Sequence, residues 1–159
     1  MLRARALSAT VLLSIAACGG SDSVTGTTVS CATSTTISAT IDGTAWCSPA
    51  AGVSRAGNNS IIAIAGIDLG LTASVSFGVV ASAPGTFSVA FDNNTFGSAT
   101  VTKSGKGWSS ALQGGTGSVT FSTLTANHVI GTFAFDAVPA SGGATGTVHV
   151  TNGKFDITF

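Results

Sequence analysis

The chain contains no Glu and no Tyr, and its acidic residues are six Asp. Charged residues make up 8% of it, against about 25% in an ordinary soluble domain. Without Glu, paired-carboxylate chemistry would have to be built from Asp alone. The cations are few and scattered: Arg3 and Arg5 at the start, then Arg55, Lys103, Lys106 and Lys154. They cannot form the clustered basic surface that nucleic acid requires, so no nucleic-acid partner is expected. His128 and His149 are far from the Cys residues and no CxxC occurs, which argues against a zinc centre. No apolar run reaches the roughly 20 residues of a membrane-spanning helix. No stretch carries a helical period with caps. What the chain does have is 21 Gly, nine Phe and abundant Ser and Thr. Its solubility rests on hydroxyls, amides and exposed backbone, which suits a secreted or surface β-protein better than a cytosolic enzyme.

The first 17 residues set basic Arg3 and Arg5 before an apolar run from Ala6 to Ala17. That order reads as a secretory signal. The run ends in Ile15-Ala16-Ala17-Cys18, which resembles the lipobox of bacterial lipoprotein precursors. The resemblance implies cleavage before Cys18 and acylation of its thiol and new amino group, with palmitate among the chains. Each buried CH₂ of an acyl chain contributes about 0.8 kcal/mol of anchoring. Gly19, rather than Asp, follows the Cys; in such precursors this implies sorting to the outer membrane. Loss of the leader leaves four cations against six Asp, a net charge of about −2, too small to imply a polyanionic partner. Residues 18–35 then read as an acylated Cys and a flexible Gly/Ser/Thr tether, and residues 36–159 as a single domain. Cys31 and Cys47 remain as an even pair in an oxidising compartment, which suggests a disulfide; the alternative is two unpaired thiols. A bridge would stabilise by about 3 kcal/mol in the chain-entropy treatment.

From Thr36 the pattern is short alternating runs divided by turn signals, the mark of half-buried strands. Asp42-Gly43 centres a first hairpin from Ile37 to Trp46, with Trp46 opposite Ala39. Ser60–Asp68 and Leu71–Val79 follow, the latter with Leu71, Ala73, Val75, Phe77 and Val79 inward. Thr86–Phe91 turns Phe87, Val89 and Phe91 inward. Phe96–Lys103 and Trp108–Leu112 flank a Ser-Gly-Lys-Gly turn. Ser118–Leu124 and His128–Ala137 bury further Phe. Thr145–Thr151 and Lys154–Phe159 are expected to form a last hairpin around Asn152-Gly153, placing His149 opposite Asp156. The expected fold is all-β, an antiparallel β-sandwich or flattened barrel of about 8–10 strands, with the Phe rings inside.

Five motifs in order carry a family resemblance: Ala39-Thr40-Ile41-Asp42-Gly43-Thr44-Ala45-Trp46, Pro84-Gly85-Thr86-Phe87, Gly117-Ser118-Val119-Thr120-Phe121, Ile130-Gly131-Thr132-Phe133-Ala134-Phe135 and Val148-His149-Val150-Thr151-Asn152-Gly153-Lys154-Phe155-Asp156. Together they resemble an uncharacterised family of bacterial secreted lipoproteins, known only as a domain of unknown function. The chain departs from that pattern in placing Cys47 after the aromatic and in lacking Tyr. The resemblance implies a secreted all-β domain and imports no activity.

No catalytic residue and no metal ligand is assigned, and no cofactor is expected. His149 with Asp156 is the one acid–imidazole pair that the expected register brings together, and it reads as a solvent-facing cross-strand pair. His128 reads as a turn-edge residue. Asp92-Asn93-Asn94 has oxygen ligands of the kind calcium takes, but equally fits an Asx turn. Trp108, with Lys103 and Lys106 on a Gly-rich hairpin, is the best ligand-binding candidate, since exposed Trp stacks on sugars; the alternative is packing on the sandwich rim. The leading functional expectation is a non-catalytic, lipid-anchored envelope domain that binds an envelope protein or glycan or fills a structural role. Two alternatives are an envelope-polymer hydrolase using two Asp, and a small outer-membrane β-barrel ending in Phe155, Ile157 and Phe159.

Overall fold

Period-two alternation carries into the structure nearly strand by strand. The computed structural model describes residues 36–57, 60–92 and 96–159, and eleven strands lie among them. They are β1 (Ile37–Ile41), β2 (Thr44–Ser48), β3 (Ala51–Ala56), β4 (Ile61–Ile67), β5 (Ala73–Val80), β6 (Gly85–Ser88), β7 (Ser98–Lys103), β8 (Lys106–Ser109), β9 (Thr116–Leu124), β10 (His128–Ser141) and β11 (Val148–Thr158). All pairings are antiparallel, in the order β2-β1-β11-β10-β8-β7-β5-β4-β3. The fold is therefore all-β, a sheet curled into a nearly closed barrel.

β10 makes the curl. Its first part, Val129–Asp136, pairs with β9, which in turn carries β6. Its last residues, Val138–Ser141, pair with β8 instead. One 14-residue strand thus serves two walls. At the opposite corner β2 runs through Pro49 into β3 and so passes from one wall to the other. Ser48 seals that corner: its hydroxyl accepts the Ile67 N–H at 3.1 Å and donates to the Ala50 carbonyl at 2.5 Å. Gly66 packs there so closely that a Cβ would lie 2.8 Å from the Ser48 side chain.

The interior is apolar and aromatic. Phe77 lies 4.9 Å from Phe133 and 5.5 Å from Phe155, and Phe155 lies 5.4 Å from Phe121, centroid to centroid. Each fully buried Phe contributes roughly 1.5–3 kcal/mol, and tilted ring pairs add about 0.5–1.5 kcal/mol. The outer faces carry hydroxyl pairs across strands: Ser74 with Thr102, Ser76 with Thr100 and Thr86 with Thr120, at 2.6–2.8 Å. Rings inward and hydroxyls outward is the reverse of what a lipid-facing barrel presents.

Three sequence expectations are corrected. The terminal hairpin does not form: Val148–Thr158 is one strand paired along β10 and β1. Asn152, at φ 53°, sits where the register shifts against both neighbours, so Asn-Gly makes a bulge rather than a reversal. Gly153 is what the bulge needs, because a Cβ there would fall 2.4 Å from the Phe133 carbonyl oxygen. Second, β3 is an additional strand. Its inward residues are only Ala51, Val53 and Arg55 against outward Gly52, Ser54 and Ala56, an alternation too weak in apolar contrast to read from sequence. Third, Leu71 and Phe91 point out, not in. The chain turns before Leu71 reaches β5, and after Ser88 it leaves β6.

Candidate functional site

The titratable side chains of β10 and β11 project from the outer wall, because the inward positions are taken by Val, Phe and Ile. The β10–β11 register sets Asp136 opposite His149, and His149 Nδ1 lies 2.7 Å from Asp136 Oδ1. The Asp136 carboxylate also accepts from the Thr116 hydroxyl at 3.3 Å. Asp42, from the β1–β2 turn, accepts the His149 backbone N–H at 2.8 Å while its own N–H donates to the His149 carbonyl at 2.9 Å. Asp136 thus meets the His149 imidazole, while Asp42 holds the His149 backbone. At the other end of the same ladder His128 Nε2 lies 2.7 Å from Asp156 Oδ1. All four side chains of the two His–Asp pairs are substantially exposed. Each pair is therefore worth no more than about 1 kcal/mol to the fold.

The expected pairing of His149 with Asp156 is overturned by the continuous β11. Without a reversal at Asn152, each His finds its Asp across the strand boundary with β10. Sequence reasoning missed Asp42 and Asp136 as neighbours of His149. The contact is set by register between segments more than a hundred residues apart for Asp42, which no local signal encodes.

Beside Asp156 the outer wall dips into a trough of about 340 Å³. Its lining includes Ser38, Ser122, Ile130, Thr132, Lys154 and Asp156. Gly131 sits opposite Phe155 on the inward face, where a Cβ would meet the Thr120 carbonyl oxygen at 2.1 Å and the Phe155 ring at 2.4 Å. Hydroxyls, one ammonium and one carboxylate surround an apolar floor there.

The expected Trp108 site is placed differently. Trp108 is 8% exposed, and its indole N–H points to the Gly146 carbonyl at 3.0 Å, with the Thr145 carbonyl at 3.4 Å. Its ring fills the core, so it offers no face for stacking. Lys103 and Lys106 stand opposite each other at the β7–β8 turn. Cys47, beside Ser38 on β2, is buried and disulfide-bonded. Cys18 and Cys31 lie outside the described residues, as do Asn93 and Asn94 of the calcium reading.

Residues 33–156 match a family described as a domain of unknown function (DUF6252). The chain belongs to this family. The match covers the whole strand set except the last residues of β11. No curated protein and no solved structure matches the chain.

Proposed function

We propose that this member of the DUF6252 family is a non-catalytic, lipid-anchored domain of the bacterial cell envelope, held at the outer membrane, with a binding or structural role. The observation that carries the reading is the division of the chain at residue 33. The family domain begins there, and the basic, apolar and Cys18 pattern with all but the last three residues of its Gly/Ser/Thr run stands before it. A β-barrel with a hydroxyl outer wall needs little charge to stay in water, which fits a secreted compartment. The disulfide at Cys47 fits an oxidising one, and Cys31 is the partner assigned in this reading, tying the tether to β2. The partner is an envelope protein or a glycan, met by the outer trough.

The test is metabolic labelling with a palmitate analogue. Label is expected on the wild-type chain in the membrane fraction and absent from Cys18→Ala. An unlabelled wild type, or equal label on Cys18→Ala, overturns the anchor.

The contact of Asp136 with the His149 imidazole favours one second reading, an envelope-polymer hydrolase. That reading requires the purified wild type to release soluble fragments from cell-wall polymer and Asp136→Asn to stop it. The non-catalytic reading requires no release from either.

A further inference from the structure

We propose that the barrel end carrying the turn between β4 and β5 docks on an anionic lipid bilayer. This turn, Asp68 to Thr72, holds two leucines out into solvent. Leu69 is 85% exposed and Leu71 is 74% exposed, and Ile67 beside them is also exposed. Single exposed leucines need no explanation, but a cluster at a loop tip marks an interaction surface.

Hydrogen bonds close the turn. Asp68 accepts the Thr72 N–H and the Thr72 hydroxyl, both at 2.7 Å. The Leu71 N–H donates to the Asp68 carbonyl, and the Asp68 N–H to the Ala73 carbonyl, each at 3.0 Å. Leu71 itself is held at φ 53°, a left-handed conformation that favours Gly. Large apolar residues rarely adopt that conformation, and here the side chain stands in water.

Cations stand beside it. The Ser104 N–H donates to the Thr72 carbonyl at 2.9 Å, so the β7–β8 turn is fastened to the leucine turn. Lys103 and Lys106 face each other across that turn. Lys106 shares a surface trough with Ile67 and Leu71. Apolar tips flanked by lysines match a bilayer surface, where leucines enter the acyl boundary and ammonium groups meet anionic headgroups. The Asp68 charge does not oppose this strongly, because its oxygens are turned inward to Thr72.

The chain also enters the barrel at this end. The Thr36 N–H donates to the Ser48 carbonyl at 3.2 Å, and the Ser48 hydroxyl accepts from Ile67, the residue before Asp68. A tether from Cys18 would therefore join the domain at the same end as this turn. The orientation rests on the anchored reading; the docking surface does not.

The experiment uses the mature chain from Gly19 onward without acylation, which keeps the matched domain whole, so its outcome is separate from that of palmitate labelling. Vesicles of phosphatidylglycerol with phosphatidylethanolamine are compared with vesicles of phosphatidylcholine in a flotation assay. The chain is expected to float with the anionic vesicles and to be released by salt. The double variant Leu69→Ser/Leu71→Ser should bind about tenfold more weakly or worse. Lys103→Gln/Lys106→Gln should lose a similar factor on anionic vesicles only. In a Leu69→Trp variant the added emission should shift to the blue on vesicle addition. Thermal melts of the variants control for folding. Absence of flotation, or undiminished flotation of the leucine variant, overturns the proposal. So does a wild-type dimer in sedimentation equilibrium that the leucine substitutions dissociate, which would assign the surface to a second copy.

Discussion

Gly153→Ala is the substitution that most directly tests the continuous β11. In the structure its Cβ would lie 2.4 Å from the Phe133 carbonyl oxygen and 2.5 and 2.6 Å from two Phe133 ring atoms. Ordinary contacts begin about 1 Å further out. The ring could rotate, but the carbonyl belongs to the β10 backbone, and Phe133 packs on Phe77 and Phe155. Relief therefore requires a shift of β10 or loss of the bulge, and overpacking of this kind costs about 1–3 kcal/mol. The backbone contact puts Gly153→Ala near the upper end. A domain of this size shifts its melting temperature by about 3–6 °C per kcal/mol, so a fall of roughly 10 °C is expected. Gly52→Ala is the control, because that position faces solvent with nothing within 4 Å of the added Cβ. It should change stability by less than about 0.5 kcal/mol, or raise it slightly by restricting the unfolded chain. Circular dichroism melts and urea titrations of the three proteins decide the matter. Equal midpoints for Gly153→Ala and Gly52→Ala would refute the packing described for the bulge.

The remaining expectations concern other parts of the barrel. Ser110 is fully buried, accepts the Ala99 N–H at 2.8 Å and donates to the Val89 carbonyl. Ser110→Ala leaves both backbone groups without that partner and should cost about 2–3 kcal/mol in urea unfolding. Phe155→Ala empties the centre of the ring cluster and should cost about 3–5 kcal/mol; a loss under about 1 kcal/mol would mean the ring is not central. Asp136→Asn, by contrast, should leave the melting midpoint nearly unchanged, since its pair with His149 is solvated. Burial pushes the Asp68 carboxyl up, but hydrogen bonds from the Thr72 hydroxyl and the Thr72 and Ala73 N–H groups outweigh it and hold the carboxyl below its ordinary value. A depressed folded value stabilises above the unfolded carboxylate range and is lost as pH falls through the folded one. Acid below about pH 4 should therefore loosen the leucine turn, seen as faster amide exchange at Leu71 and Thr72, and Asp68→Asn should remove that pH dependence.

Much of the wall was legible along the chain. The alternation in Ala73–Val80 and His128–Ala137 named their inward residues, and Asp42-Gly43 fixed the first hairpin and set Trp46 opposite Ala39. Local legibility ends at Asn152-Gly153, where the same dipeptide chemistry serves a reversal or a bulge. Both need a residue at positive φ, so the local signal is degenerate, and only the length of β10 beside it selects the bulge. The candidate site failed for the same reason. A pairing of His149 with Asp156 needs a reversal that does not exist, and Asp42 and Asp136 reach His149 through pairings between distant segments. Trp108 was equally ambiguous, since an indole beside Gly and Lys looks alike whether it stacks on a ligand or donates to Gly146.

Sequence alone determined that this chain is built of strands with one apolar face, because period two is a property of each segment by itself. It also set a basic and apolar run ending at Cys18 ahead of the family domain. Tertiary structure decided where those strands join, which His meets which Asp, that Trp108 lies inside, and that Leu69 and Leu71 share one end with Lys103, Lys106 and the start of β1. Such neighbours are chosen by register and closure of the whole sheet, and those are settled only when distant strands compete for the same edges.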